Sequence, residues 1–249
     1  MLIDVHAHLD FPQFDSDRWD VIERARREKI LVINSGMGPE GIEKTISLAK
    51  KYDNIFATLG LSPQEFKKEI IDKTVELIRR YRNEILGIGE VGLDYYWIKD
   101  SNSREKELEN FNRFIELSRE LKLPLVIHSR DAEADVINRL KEENLPVILH
   151  SFSGSPEQAE EAISFGCLIS IPVSVVYSKR KQKLVENLPL ESMVLETDAP
   201  YLSPRPKTRN EPINIKLTRD KIAKIKDIDK EIIEEITTKN AKGFFDLKL

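Results

Sequence analysis

Leu125-Val126-Ile127-His128-Ser129-Arg130 is a short apolar run that stops abruptly on polar and charged residues. Before it, Arg104–Lys122 repeats apolar residues at three- and four-residue spacing, and after it Asp131–Asn144 does the same. That spacing predicts amphipathic helices. An all-apolar run set between two helices predicts a parallel strand covered on both faces. The same unit recurs in both directions. Further runs lie at Leu2–Val5, Leu31–Asn34, Ile55–Leu59, Ile85–Gly89, Val147–Leu149, Leu168–Ile171 and Val194–Glu196. Helical spacing fills Ser16–Lys29, Pro39–Lys51, Ile70–Tyr81, Pro156–Phe165 and Ser178–Asn187. Ser155-Pro156-Glu157 carries helix-start chemistry, with Pro in the first turn. A Pro-rich loop, Ala199–Pro212, and two more helical segments complete the chain. Eight such units in 249 residues predict an α/β fold, a (β/α)8 TIM-type barrel forming a single domain over residues 1–249. A doubly wound open sheet shares the local pattern, but no Gly-rich dinucleotide loop follows the first run.

Composition narrows the function. The chain is 40% hydrophobic and 33% charged, enough to bury a sizeable core, and its 10 Gly and 12 Pro are too few for a fibrous or disordered chain. A single cysteine, Cys167, excludes an internal disulfide and a cysteine-based zinc cage. A net charge of -4 argues against a broad basic face that grips long duplex DNA. No apolar stretch approaches the roughly 18 residues of a membrane span. Met1-Leu2-Ile3-Asp4-Val5-His6 meets polar residues too early for a signal peptide. A cytoplasmic protein with no membrane association and no obligate protein partner is the expectation.

In a barrel of this kind the chemistry sits at the C-terminal ends of the strands. All four histidines of the chain, His6, His8, His128 and His150, fall at such ends. Those windows cover roughly an eighth of the chain, so chance alone would place all four there a few times in about ten thousand. His6 and His8 flank Ala7, and side chains two apart on a strand share a face, so both imidazoles can converge on one metal. Glu90 closes Ile85-Leu86-Gly87-Ile88-Gly89-Glu90, and Asp198 closes Val194-Leu195-Glu196-Thr197-Asp198. A carboxylate leaving an apolar strand is costly to desolvate unless a cation or donors meet it. Glu196 shares the face of Asp198 but lies deeper, in a supporting position. Four His, one Glu and one Asp exceed the needs of one tetrahedral zinc and suit two divalent ions sharing a carboxylate. Zn, Mn, Co and Mg all accept this donor set. The reaction class is metal-assisted hydrolysis. Arg130 and the stretch Arg205-Pro206-Lys207-Thr208-Arg209 offer cationic groups for phosphate oxygens. Tyr95, in Asp94-Tyr95-Tyr96-Trp97, offers a ring on which a base can stack.

These residues resemble the TatD-like deoxyribonuclease family of the amidohydrolase superfamily. The resemblance runs from residue 2 nearly to the end. It rests on Asp4-Val5-His6-Ala7-His8-Leu9-Asp10, Gly89-Glu90-Val91-Gly92-Leu93-Asp94-Tyr95, Ile127-His128-Ser129-Arg130, His150-Ser151-Phe152-Ser153-Gly154, Glu196-Thr197-Asp198-Ala199-Pro200-Tyr201 and Arg209-Asn210-Glu211-Pro212. It implies a divalent-metal hydrolase acting on DNA ends, often a 3′-to-5′ exonuclease; a pocket-like site at a barrel mouth and a net charge of -4 point to single-stranded ends. One metal would lie between His6, His8, Glu90 and Asp198, the second between Glu90, His128 and His150. Asp198 would also take a proton from the attacking water. The chain departs from the family at Gly60-Leu61-Ser62-Pro63, where Gly-x-His-Pro is common. Two alternatives stand beside this one. An ester or C–N hydrolase of the wider superfamily, such as a D-aminoacyl-tRNA deacylase, often bridges its metals with a carboxylated lysine on the fourth strand. No Lys occurs in Ile85–Asp94. A catalytically idle metal-binding scaffold is the other, and six intact ligands argue against it.

Overall fold

The computed structural model describes residues 1–205 and 207–248; Pro206 of the basic stretch and Leu249 lie outside the described residues. Eight strands, β1 (Leu2–Ala7), β2 (Ile30–Met37), β3 (Ile55–Gly60), β4 (Gly87–Asp94), β5 (Leu125–Arg130), β6 (Val147–Leu149), β7 (Leu168–Ile171) and β8 (Met193–Leu195), lie side by side in chain order. Every neighbouring pair is parallel. Beyond β8 the chain bends back to β1. Asp198 N–H donates to His6 O at 2.9 Å, and His8 N–H donates to Ala199 O at 2.7 Å. These bonds draw the sheet into the expected barrel, with Asp198 beside the two histidines of β1.

Helices α1 (Arg18–Arg27), α2 (Gly38–Lys51), α3 (Lys68–Tyr81), α4 (Ser101–Leu121), α5 (Glu133–Leu140), α6 (Pro156–Ser164) and α7 (Lys179–Asn187) connect successive strands. Their ends follow local chemistry. Asp100 accepts from Ser103 N–H and starts α4 three residues before the hydrophobic spacing suggests. Ser155 and Gln158 form a reciprocal capping box at α6. The apolar faces of these helices and the outward strand residues form the main core. Ile3, Val5, Ile33, Val126, Ile148 and Val194 make a second, smaller cluster inside the barrel. After β8 come α8 (Ile215–Lys226) and α9 (Lys230–Phe245). Ala241 and Phe245 of α9 join the inner cluster, while Asn240 Nδ2–H donates to Leu190 O and Met193 O at the start of β8. This plugs the end where the strands begin and leaves the other end for chemistry. Among the described residues, no helix is long and apolar enough to cross a membrane.

One strand departs from the sequence expectation. Glu90 does not terminate β4, which continues to Asp94, and the β4–β5 register shifts between Ile88 and Val91. The irregularity falls on Glu90. Such a bulge re-aims a side chain without ending the strand.

Candidate metal centre

The four histidines and the two expected carboxylates converge at one barrel mouth. His6 and His8 bring their Nε2 atoms to 3.1 Å of each other, rings crossed at 85°. Glu90 Oε2 lies 3.4 Å from His6 Nε2 and 3.5 Å from His8 Nε2. Its other oxygen, Oε1, lies 2.6 Å from His128 Nδ1 and 3.9 Å from His150 Nε2. Glu90 thus stands between two pairs of imidazoles, facing one pair with each oxygen. Asp198 Oδ1 is 3.7 Å from His8 Nε2 and 4.0 Å from both His6 Nε2 and His150 Nε2. Ligand atoms of His6, His8 and Asp198 all lie within 4.8 Å of one another, as do those of His6, Glu90 and His150. His128 belongs to neither triplet and touches the cluster through Glu90.

The hydrogen bonds on the far side of each ring determine which nitrogen faces inward. His8 Nδ1–H donates to the Ser35 carbonyl at 2.9 Å, because a carbonyl can only accept. His150 Nδ1–H donates to Glu196 Oε2 at 2.9 Å, which places Glu196 in the supporting position expected for it. In the neutral rings, Nε2 of both then points a lone pair at carboxylate oxygens. That arrangement is repulsive unless a cation lies between them. The donor set therefore fits a divalent ion, and in its absence it draws protons. Burial opposes charge on His8, yet Glu90, Asp198 and Asp10 outweigh burial and lift it to about 9. Burial likewise opposes charge on His128, and Glu90 with Asp94 lifts it to about 10. His6 goes the other way: burial and the adjacent His150 push it down to about 4. Its Nδ1 is buried and meets no hydrogen-bond partner among the described residues. Asp198 is raised by burial to about 6. Glu90 is held well below the carboxylate range, since His128, His6 and His8 outweigh its burial.

A metal must displace protons from nitrogens it binds. At pH 7 the protonated candidates are His8 and His128, and His150 is raised too: burial opposes its charge, but Glu196 and Glu90 outweigh it. Zinc added to metal-depleted protein at pH 7 should release about two to three protons, fading as pH rises through 9 and 10. Calorimetry in buffers of different ionisation enthalpy reads that number. Zinc binding with no proton release at pH 7 would contradict the electrostatics above.

Several partners escaped the sequence reading. Asp94 accepts from His128 Nε2–H at 3.0 Å and from the backbone N–H of Tyr96 and Trp97. It orients the His128 ring while fixing the turn after β4. The hydroxyl of Ser35 accepts from Glu90 N–H at 2.8 Å. Asp4 accepts from Thr197 N–H at 2.8 Å and from the Thr197 hydroxyl, tying β1 to the segment that carries Asp198. Asp94 and Asp4 sit inside the quoted motifs, but their partners are far away in sequence.

The expected substrate contacts divide. Arg130 is exposed at the mouth, and its guanidinium carbon lies 3.6 Å from the centroid of the Tyr96 ring. Tyr95 turns away, a correction to the expectation. Its hydroxyl donates to Asp135 at 2.8 Å and its ring packs against the core, because Arg104 covers one face at 4.0 Å. The most open ring of this loop is Trp97, 60% exposed; Tyr96 is 42% exposed but carries Arg130 on one face. Arg205 is exposed, and its side chain has no hydrogen bond or ion pair to another described residue. Arg209 is also corrected. Its fork is occupied by Asp17 at 2.6 and 2.7 Å, Glu211 at 3.0 Å and the Gln13 carbonyl at 2.7 Å. It straps the loop after β8 to the segment before α1. The Ser62 hydroxyl, where the family commonly has His, accepts from Gln64 N–H at 3.3 Å and caps its own turn.

Comparison with known proteins agrees with this geometry. The model of the TatD related DNase family matches residues 3–246. An uncharacterized metal-dependent hydrolase of Methanocaldococcus jannaschii is 40% identical, over 99% of this chain and 98% of its own. Deoxyribonuclease TATDN3 of Homo sapiens is 36% identical, over 98% of this chain and 94% of its own. Among solved structures, the TatD homolog YJJV of Escherichia coli superposes with a TM-score of 0.90 at 25% identity, covering 99% of this chain and 98% of that one. A barrel mouth lined with imidazoles and carboxylates, and likeness along nearly the whole chain, lead to one conclusion: the chain belongs to the TatD-related DNase family of metal-dependent hydrolases.

Proposed function

We propose that residues 1–249 act as a single domain that hydrolyses phosphodiester bonds of DNA, removing nucleotides one at a time from a single-stranded 3′ end. Two divalent ions serve the reaction, one held by His6, His8, Glu90 and Asp198, the other by Glu90, His128 and His150. The observation that carries this reading is Glu90, whose two oxygens face different imidazole pairs. The deoxyribonuclease name of the human relative supports the choice of electrophile.

When bound, such ions lower the pKa of water and neutralise charge on a phosphate. The chain's own residues do the rest. Asp198, set among His6, His8 and His150, is placed to take a proton from the attacking water. Glu196 keeps the His150 ring in one tautomer, and Asp94 does the same for His128. Arg130 presents a planar fork to a phosphate oxygen. Trp97 presents an open ring to a base. The site is a mouth rather than a groove, so a terminus enters it more readily than the middle of a duplex.

The test incubates end-labelled single strands, matched duplexes and a D-aminoacyl-tRNA with Mg, Mn or Zn. A ladder shortening from the 3′ end, abolished by chelator, is the expected result. With two to three phosphate contacts, log K against log salt should slope by roughly -1.5 to -2. Release of the D-amino acid with intact oligonucleotides would instead make the protein a deacylase.

A further inference from the structure

A cavity of about 280 Å3 opens beside the carboxylate–imidazole cluster. His128, His150 and Asp198 form the wall it shares with that cluster. Apart from Leu202 the rest of its lining is polar and of both signs, with Arg130 at one edge for the phosphate and Glu133 set deeper. No Phe, Tyr or Trp lines it among the described residues, so a base has no ring to stack on there. Lys181 reaches the wall, but its ammonium is already committed. It donates to Ser151 O at 2.7 Å, to the Phe152 carbonyl and to Ser153 Oγ at 2.9 Å.

Glu133 is different. It lines the same cavity from the first turn of α5 and is only 8% exposed. Beyond its own backbone N–H, no hydrogen bond or ion pair joins its carboxyl to a described residue. Burial raises its pKa, against the pull of its own backbone N–H and of Arg180. Its own backbone N–H is the one donor this carboxyl has, and a carboxylate can accept several more hydrogen bonds. An occupant of the cavity that brings a donor would fill that spare capacity. A phosphate oxygen brings none, and a sugar hydroxyl brings one.

Resting on the phosphodiesterase reading above, we propose that Glu133 accepts a hydrogen bond from the hydroxyl of the substrate's terminal sugar. The cavity then seats the sugar of the departing nucleotide, and Glu133 selects ends with a free hydroxyl. A 3′-phosphate would set its charge against the carboxylate. A 2′,3′-dideoxy end would leave that capacity unfilled. A hydrogen bond to a charged group is worth about 1.5–3 kcal/mol, so discrimination should be about ten- to a hundredfold.

The experiment compares kcat/KM for single strands ending in 3′-hydroxyl, 2′,3′-dideoxy and 3′-phosphate, using the metal-loaded wild type, Glu133→Ala and Glu133→Gln. The wild type should prefer the hydroxyl end about ten- to a hundredfold over either other end. Glu133→Ala should bring the hydroxyl-to-dideoxy ratio close to one. Glu133→Gln should keep part of that ratio and tolerate the 3′-phosphate better. Calorimetry supplies a readout apart from turnover: thymidine 5′-monophosphate should bind the wild type more tightly than its 2′,3′-dideoxy counterpart, and Glu133→Ala should bind both alike. Equal losses on all three ends would make Glu133 structural and overturn the proposal. So would a wild type that does not distinguish the ends while cleaving bis(p-nitrophenyl) phosphate with metal; the phosphodiesterase reading would then survive. If neither DNA nor that diester is cleaved, that reading fails, and the proposal with it.

Discussion

Glu90→Gln is expected to abolish turnover, by on the order of a thousandfold or more, and to empty both metal positions. The amide keeps the shape of the side chain but removes the charge that faces imidazoles on two sides, 3.4 and 3.5 Å from His6 and His8, and 2.6 and 3.9 Å from His128 and His150. Metal ions contribute several kcal/mol to transition-state charge stabilisation, and each ~1.4 kcal/mol is tenfold in rate. One half of the amide also becomes a donor, turned toward imidazole nitrogens or toward a cation. His128→Ala provides the contrast. His128 contacts only the Oε1 side of Glu90, so this variant should lose one ion of two and retain the ion beside His6 and His8. Elemental analysis of the purified variants gives the metal content, and single-turnover assays give the rate. Near-normal activity in Glu90→Gln, or equal metal content in wild type and His128→Ala, would remove the bridging role.

Gly92→Ala should damage both stability and activity without replacing a ligand side chain. Gly92 pairs with His128 across β4 and β5, and an added Cβ would stand 2.0 Å from the His128 carbonyl oxygen. That is backbone, which cannot swing aside. The two strands must separate by more than an ångström. The φ of +143° at Gly92 is also one that L side chains rarely adopt. Overpacking costs about 1–3 kcal/mol and backbone strain about 1–3 kcal/mol, so a loss of about 2–6 kcal/mol is expected by denaturant melts. Folded Gly92→Ala should still lose about a hundredfold in kcat/KM, because β4 and β5 carry Glu90 and His128 and an ångström of misplacement costs about that much. Saturating metal should not rescue it. Full activity with a wild-type melting midpoint would mean that the strands yield more easily than the contact implies.

The barrel was legible because its signal is local. Apolar runs bounded by helical spacing, such as Leu125–Ile127, report burial on both faces, and the order of runs becomes the order of strands. The convergence of His6, His8, Glu90, His128, His150 and Asp198 was legible for a related reason. Strand ends in a closed parallel barrel must meet at one mouth, so residues far apart in sequence become neighbours through topology alone. Tyr95 and Arg209 show where this stops. Both are placed near the mouth by the chain, but where the side chain goes depends on competition. Asp135 and Arg104 capture Tyr95, and Asp17 and Glu211 capture Arg209.

The architecture, the membership of the cluster and the class of chemistry follow from the chain read in order, because periodicity and strand-end position are local properties. How the cluster is poised depends on contacts that exist only after folding. The bulge that keeps Glu90 inside β4, and the carbonyl of Ser35 and the carboxylate of Glu196 that turn two imidazoles inward, all arise from contacts between distant segments. A hydrogen bond acts over about 3 Å, and only the folded chain brings those groups within that distance.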